Sequence, residues 1–118
     1  MGSTYKDLIV WQKSMLVAKG IYALVKKLPK EETYALSDQM RRAAVSIPSN
    51  IAEGYGRISH KEYAHFLSIA KGSASELTTQ LELCVMIGYL TNEDIHESLT
   101  LLDEIERMLH TMIQKFLK

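Results

Sequence analysis

Leu36–Arg57, LSDQMRRAAVSIPSNIAEGYGR, is the stretch whose reading decides the fold. Leu36, Met40, Ala43, Ala44, Ile47 and Ile51 recur at three- and four-residue spacing, which predicts a helix with one apolar face. That face continues past Pro48, and Gly54 and Gly56 are expected to stop it. Proline has no backbone N–H, so the Ala44 carbonyl loses its helical donor and a kink is expected. Ser46, Ser49 and Asn50 are placed to satisfy the freed groups. A kinked packing helix is favoured over a catalytic turn.

On the N-terminal side, a first helix is predicted from about Asp7 to Leu28, ended by Pro29. Leu8, Trp11, Met15, Ala18, Tyr22 and Val25 follow the alternating spacing of a bundle seam. Val10, Val17, Ile21, Leu24 and Leu28 keep the same rhythm beside it. Two stripes exceed what one core covers, so this helix is expected to face two neighbours.

On the C-terminal side, Ser59 and Glu62 form a capping-box pattern that opens a long third helix reaching about Tyr89. Its seam is Tyr63, Leu67, Ala70, Ala74, Leu77, Leu81, Cys84 and Gly88, with Leu83, Val85, Met86 and Ile87 off the seam. Thr91 and Asp94 give a weaker cap for a fourth helix carrying Ile95, Leu99, Leu102, Ile105, Leu109, Met112 and Phe116 on its inner side. Short connections make sequential helices antiparallel neighbours, so the expected fold is all-α: an antiparallel up-down-up-down four-helix bundle, one domain over 1–118. Hydrophobic residues make up 47% of the chain and only two prolines interrupt them, which suits a helical protein. No apolar run long enough for a membrane span and no leader pattern is found, and the lone Cys84 excludes an internal disulfide. A cytoplasmic location without membrane contact is expected.

The run Gln39-Met40-Arg41-Arg42-Ala43-Ala44, then Ser46-Ile47, then Asn50-Ile51-Ala52-Glu53-Gly54, closely resembles the signature of the four-helix bundle proteins encoded in intervening sequences of bacterial 23S ribosomal RNA genes. Val10-Trp11-Gln12, Tyr34-Ala35-Leu36, Gly72-Ser73 and Glu76-Leu77 extend the resemblance over nearly the whole chain. The accessory variability proteins of diversity-generating retroelements look like relatives. The resemblance implies a homopentameric ring, no catalytic activity and a link to ribosomal or structured RNA, or to a reverse transcriptase-like protein. It also favours a subunit interface on the first helix over one broad core facing both stripes; which stripe meets the neighbour is open, and Val10, Val17, Ile21 and Leu24 are the interface candidates.

Fourteen basic residues balance fourteen acidic ones, but up to Lys71 there are eleven against six, so the first part is +5 and the remainder −5. Arg41, Arg42, Arg57, Lys61 and Lys71 are the candidate phosphate contacts, with no aromatic ladder beside them in sequence. Complementary faces of a head-to-tail ring explain the same asymmetry. Partners for Arg42 and Glu53 are sought on Glu76 or an adjacent subunit. Glu62-x-x-His65 and Glu93-x-x-His96 carry di-metal spacing, yet each opens its own helix and the two are expected at opposite ends of the bundle. Cys84 reads as a small buried apolar group, and Gly54-Tyr55-Gly56 as a turn. No catalytic, cofactor or metal residue is assigned. The function expected is a non-enzymatic oligomeric adaptor associated with RNA or ribonucleoprotein, the alternative a protein-binding scaffold that does not touch nucleic acid.

Overall fold

The computed structural model describes residues 3–118, so Met1 and Gly2 lie outside it. Four long helices, α1 (Ile9–Leu24), α2 (Leu36–Tyr55), α3 (His60–Met86) and α4 (Asn92–Phe116), pack around one apolar cluster, and no strand occurs among the described residues. α1 packs on α2 and α4, and α3 packs on α2 and α4, the adjacency of a four-helix bundle. Contacts along two of these pairs run in crossed order. Met40, Ser46 and Gly54 of α2 meet Cys84, Ser73 and Phe66 of α3, while Lys13 and Lys27 meet Glu104 and Asp94.

The first helical region is broken more than its spacing suggests. A 3₁₀ turn, Tyr5–Asp7, is closed by a capping box in which Thr4 Oγ1 accepts from Lys6 N–H and the Asp7 carboxylate accepts from Thr4 N–H. α1 then begins at Ile9, and after Leu24 the chain tightens into a second 3₁₀ turn, Val25–Lys27. Leu28 is extended, at ψ 153°, because the ring of Pro29 disfavours a helical residue before it.

α2 runs unbroken through Pro48, whose neighbours Ile47 and Ile51 are fully buried. Burying those two side chains contributes roughly 3–6 kcal/mol, enough to offset the ~3 kcal/mol cost of an internal proline. The side chains offered to the freed Ala44 carbonyl go elsewhere. Asn50 Nδ2 donates to the Ser46 carbonyl and hydroxyl, and the Ser46 and Ser73 hydroxyls share a 2.8 Å hydrogen bond across to α3. The helix stops where the glycines are, at Tyr55 with Gly56 as its C-cap, and Gly54 has a second role. A Cβ there would lie 2.8 Å from Phe66 Cβ and 2.9 Å from Tyr63 Cδ1, so the glycine sets how closely α2 and α3 approach.

The other termini follow from local chemistry. Ser59 Oγ accepts from Glu62 N–H, but the Glu62 carboxylate takes its hydrogen bond from the Ser59 hydroxyl, so only half the predicted box forms. α3 ends at Met86, three residues early: Gly88 turns left-handed at φ 85° and the Tyr89 and Leu90 N–H groups both return to the Cys84 carbonyl. Thr91 and Asp94 make the complete box, a stronger cap than expected. No helix is long and apolar enough to cross a membrane among the described residues.

Two expected outcomes follow from this packing. Gly54→Ala pushes two helices apart at a fixed point and should cost about 1–3 kcal/mol, read as a lower urea midpoint at unchanged slope. Asp94 accepts from Lys27 Nζ at 2.7 Å and from the Thr91 backbone, which hold its carboxyl down to about 2 from the ordinary 3.8. Its contribution to stability is therefore complete above pH ~3.8 and disappears as pH falls towards 2. Asp94→Asn should flatten that part of the acid denaturation curve, followed by circular dichroism.

Candidate functional site

The second stripe of α1 is the inward one, while of the first stripe Val25 is buried, Leu8, Trp11 and Ala18 pack partly against the core, and Met15 and Tyr22 face out. Val17 is 1% exposed and Ile21 0%, and Val10, Val25 and Leu28 are buried with them in the protomer's own core. Val10, Val17 and Ile21 therefore offer nothing to a second subunit, and Leu24 is half-buried against the same cluster. Ser14 completes the inward face, donating at 2.7 Å to the Val10 carbonyl so that burial leaves its hydroxyl paired. The outer face carries Met15, 45% exposed, and Tyr22, 49%, with Leu16 at 58% beside them. Trp11, Met15, Ala18, Val45, Pro48, Ser49 and Ala52 line a cleft of about 340 Å³ between α1 and α2, together with Tyr5. Tyr5 packs edge-on against Trp11 at 5.4 Å.

The five candidate cations do not converge. Arg41 is partly buried beside Tyr22 and Val25, donates to the Thr33 carbonyl at 3.0 Å, and so ties α2 to the segment before it. Arg42 pairs with Asp38 at 2.9 Å and stays largely exposed, while Arg57 pairs with Glu53 one turn back. Glu76 instead accepts a long hydrogen bond from Gln80, so the partners expected for Arg42 and Glu53 are replaced by local ones, Asp38 on α2 and Arg57 just beyond its end. Lys71 lies in the α3/α4 groove with His110 and Gln114, on the side of the bundle opposite the α1/α2 groove of Arg41. Arg42 and Arg57 are separated by about 20 Å of helix. Arg57 and Lys61, either side of the α2–α3 connection, are the pair brought to one end.

At that end the structure assembles what the order of residues conceals. Tyr55 meets Tyr63 edge-on at 6.1 Å, Tyr63 stacks on Phe116 at 4.6 Å, and His60 lies over Phe116 at 5.0 Å. The Arg57 guanidinium sits 4.8 Å above the Phe66 ring, and Lys115 Nζ 5.7 Å from that of Phe116. Burial, with Tyr55 nearby, pushes the Tyr63 hydroxyl above its ordinary value, so it stays neutral. Four of the nine aromatic residues, Tyr55, Tyr63, Phe66 and Phe116, gather here, while Tyr5 and Trp11 form a separate pair on the α1/α2 cleft. The only advance signal was Gly54, whose missing side chain admits Tyr63 and Phe66.

Residues 6–111 match the family described as 23S rRNA-intervening sequence protein. The chain belongs to that family. It is also similar to the crystal structure of a protein with unknown function from the S23 ribosomal protein family of Bacteroides thetaiotaomicron, at 31% identity and a TM-score of 0.82 over 89% of this chain and 98% of that one. No curated protein matches.

The acidic, histidine and thiol side chains picked out by their spacing lie apart from one another. Glu62 and His65 open α3 beside the C-terminal end of α4, whereas Glu93 and His96 open α4, roughly 36 Å away along that helix. Among the described residues no three His, Cys, Asp or Glu side chains are grouped to hold a metal. Cys84 is buried against Met40, its Sγ 3.7 Å from the Met40 Sδ, and burial followed by the charge of Glu32 pushes the thiol up, away from thiolate. At the same end Tyr89 donates to Glu32 at 2.8 Å, and the Glu32 carboxylate also accepts from Leu36 N–H, capping α2. That hydrogen bond, more than burial, raises the Tyr89 hydroxyl.

The inward turn of the second stripe predicts a sharp contrast between α1 substitutions. Ile21→Ala should destabilise the protomer by about 2–5 kcal/mol, whereas Leu16→Ala should stay within about 0.5 kcal/mol in its intrinsic stability. Denaturant titration at low protein concentration checks both.

Proposed function

We propose that this protein is a non-enzymatic, self-assembling helical adaptor that associates with RNA or ribonucleoprotein in the cytoplasm, built from a single-domain antiparallel up-down-up-down bundle. The crossed order of interhelical contacts supports the topology. The observation that carries the reading is the uncovered apolar face of α1, where Met15, Leu16 and Tyr22 continue across the cleft to the exposed Val45 of α2. A second apolar patch, Leu83, Met86 and Ile87, lies at the far end of α3 in the acidic part of the chain. Two unlike patches of opposite surrounding charge suit a heterologous contact, which closes into a ring when the rotation allows it. The family resemblance makes that ring a pentamer, and Pro48 bends α2 to fit it. Family membership supports the RNA partner, and repetition around a ring would multiply weak phosphate contacts.

A second reading has its own observation. The Trp11–Pro48 cleft is apolar, has no basic residue in its lining and lies apart from Lys71, which favours a protein ligand such as a reverse transcriptase-like partner.

Light scattering tests assembly: a species several times 13.4 kDa is expected, and Leu16→Glu with Tyr22→Lys should return it to a folded monomer. A monodisperse 13.4 kDa wild type removes the assembly reading. Retention of structured RNA at low ionic strength, falling steeply with added salt, is expected of the oligomer. Absence of retention leaves the scaffold reading.

A further inference from the structure

The rings at this end of the bundle are not sealed from water. Here Tyr55, Tyr63, Phe66 and Phe116 all remain partly exposed, and His60 and His65 are exposed outright. Contacts string four of them into the run Tyr55–Tyr63–Phe116–His60, whose last member faces solvent. Ile58, in the α2–α3 connection beside it, is wholly exposed. Lys61 and Lys115 flank the run without an acidic partner among the described residues. The acids nearby are otherwise engaged: Glu53 is paired with Arg57, and Glu62 accepts from the Ser59 hydroxyl. Exposed ring faces beside unpaired cations are what an unstacked nucleobase and its phosphates require, since every base has a π face and every link a negative charge. A duplex hides its base faces and could use only the cations.

Resting on the RNA reading above, we infer that this aromatic end is the RNA site and that its ligand is single-stranded RNA: an unpaired base stacks on His60 at the open end of the run, and Lys61 and Lys115 contact the adjoining phosphates. The site lies away from Arg41, Arg42 and Lys71, which take no part in it. Its specificity is for unpaired strand over duplex, with little preference among bases.

The test is fluorescence anisotropy with the full chain, using labelled short oligo(U), oligo(A) and a blunt RNA duplex of matched length. His60→Ala, His60→Phe, Lys61→Gln with Lys115→Gln, and Arg41→Gln with Arg42→Gln are compared, each confirmed by melting to be folded. His60 is exposed, so its replacement leaves the core intact. Single strands should bind in preference to duplex. His60→Ala should weaken them about five-fold or more, and His60→Phe should restore binding, which a merely structural histidine would not allow. The paired lysine variant should lessen the salt slope by about 1.4, the value for two phosphate contacts on a single strand. Wild-type affinity in His60→Ala, or equal binding of duplex and single strand, overturns the inference. Loss on replacing Arg41 and Arg42 instead overturns it while upholding the RNA reading. No binding of any RNA overturns both and turns this end into a surface for a protein.

Discussion

The approach of α2 to α3 is the constraint on which the rest depends. At one point the helices come so near that Gly54 cannot carry a side chain without meeting the Cβ of Phe66. Above it the Ser46–Ser73 hydrogen bond spans the same groove, and the small residues Ala43, Ala44, Ala70 and Ala74 are buried close by. Small side chains give little transfer energy of their own, so their value lies in letting larger neighbours such as Ile47, Ile51, Leu67 and Leu77 interdigitate at native density. Once those two helices are set, α1 and α4 close the remaining sides, and the ends of the bundle acquire their separate chemistries.

Much of this is readable in the residues. The periodicity from Leu36 to Tyr55 marks α2 despite its proline, because the apolar face does not change phase at Pro48. Caps at Ser59 and Thr91 mark the starts of α3 and α4, since a side-chain oxygen three residues before an acidic group is a local device that needs no tertiary context. The orientation of α1 is different. Its two stripes are offset by one residue, about 100° of turn, and both keep the seam spacing. Trp11, Met15 and Tyr22 have the larger side chains, but Ser14 lies on the face that is buried, and its hydroxyl can satisfy itself on the Val10 carbonyl. Only the neighbours of α1 decide between the two.

The candidate surface is legible in its charge and illegible in its aromatics. Arg57 and Lys61 stand near each other in sequence, so their shared place needs no folding argument. Tyr55 and Phe116 are on different helices, and they share a cluster because the α2–α3 connection is short and α4 returns to the same end. A glycine read as a stop signal is also a point of contact, a role that depends on a partner more than ten residues away.

The contrast between the two ends gives the molecule opposed sensitivities. Near the α1–α2 and α3–α4 connections, polar ties predominate: Lys27 with Asp94, and Glu32 with Tyr89 and Leu36. At the other end ring contacts predominate. Ionic contacts weaken as salt screens them, whereas apolar contacts weaken on cooling. Salt and cold therefore loosen the bundle from opposite directions. The site of earliest fraying, and with it the order in which backbone amides become open to exchange, is a property of the medium as much as of the fold.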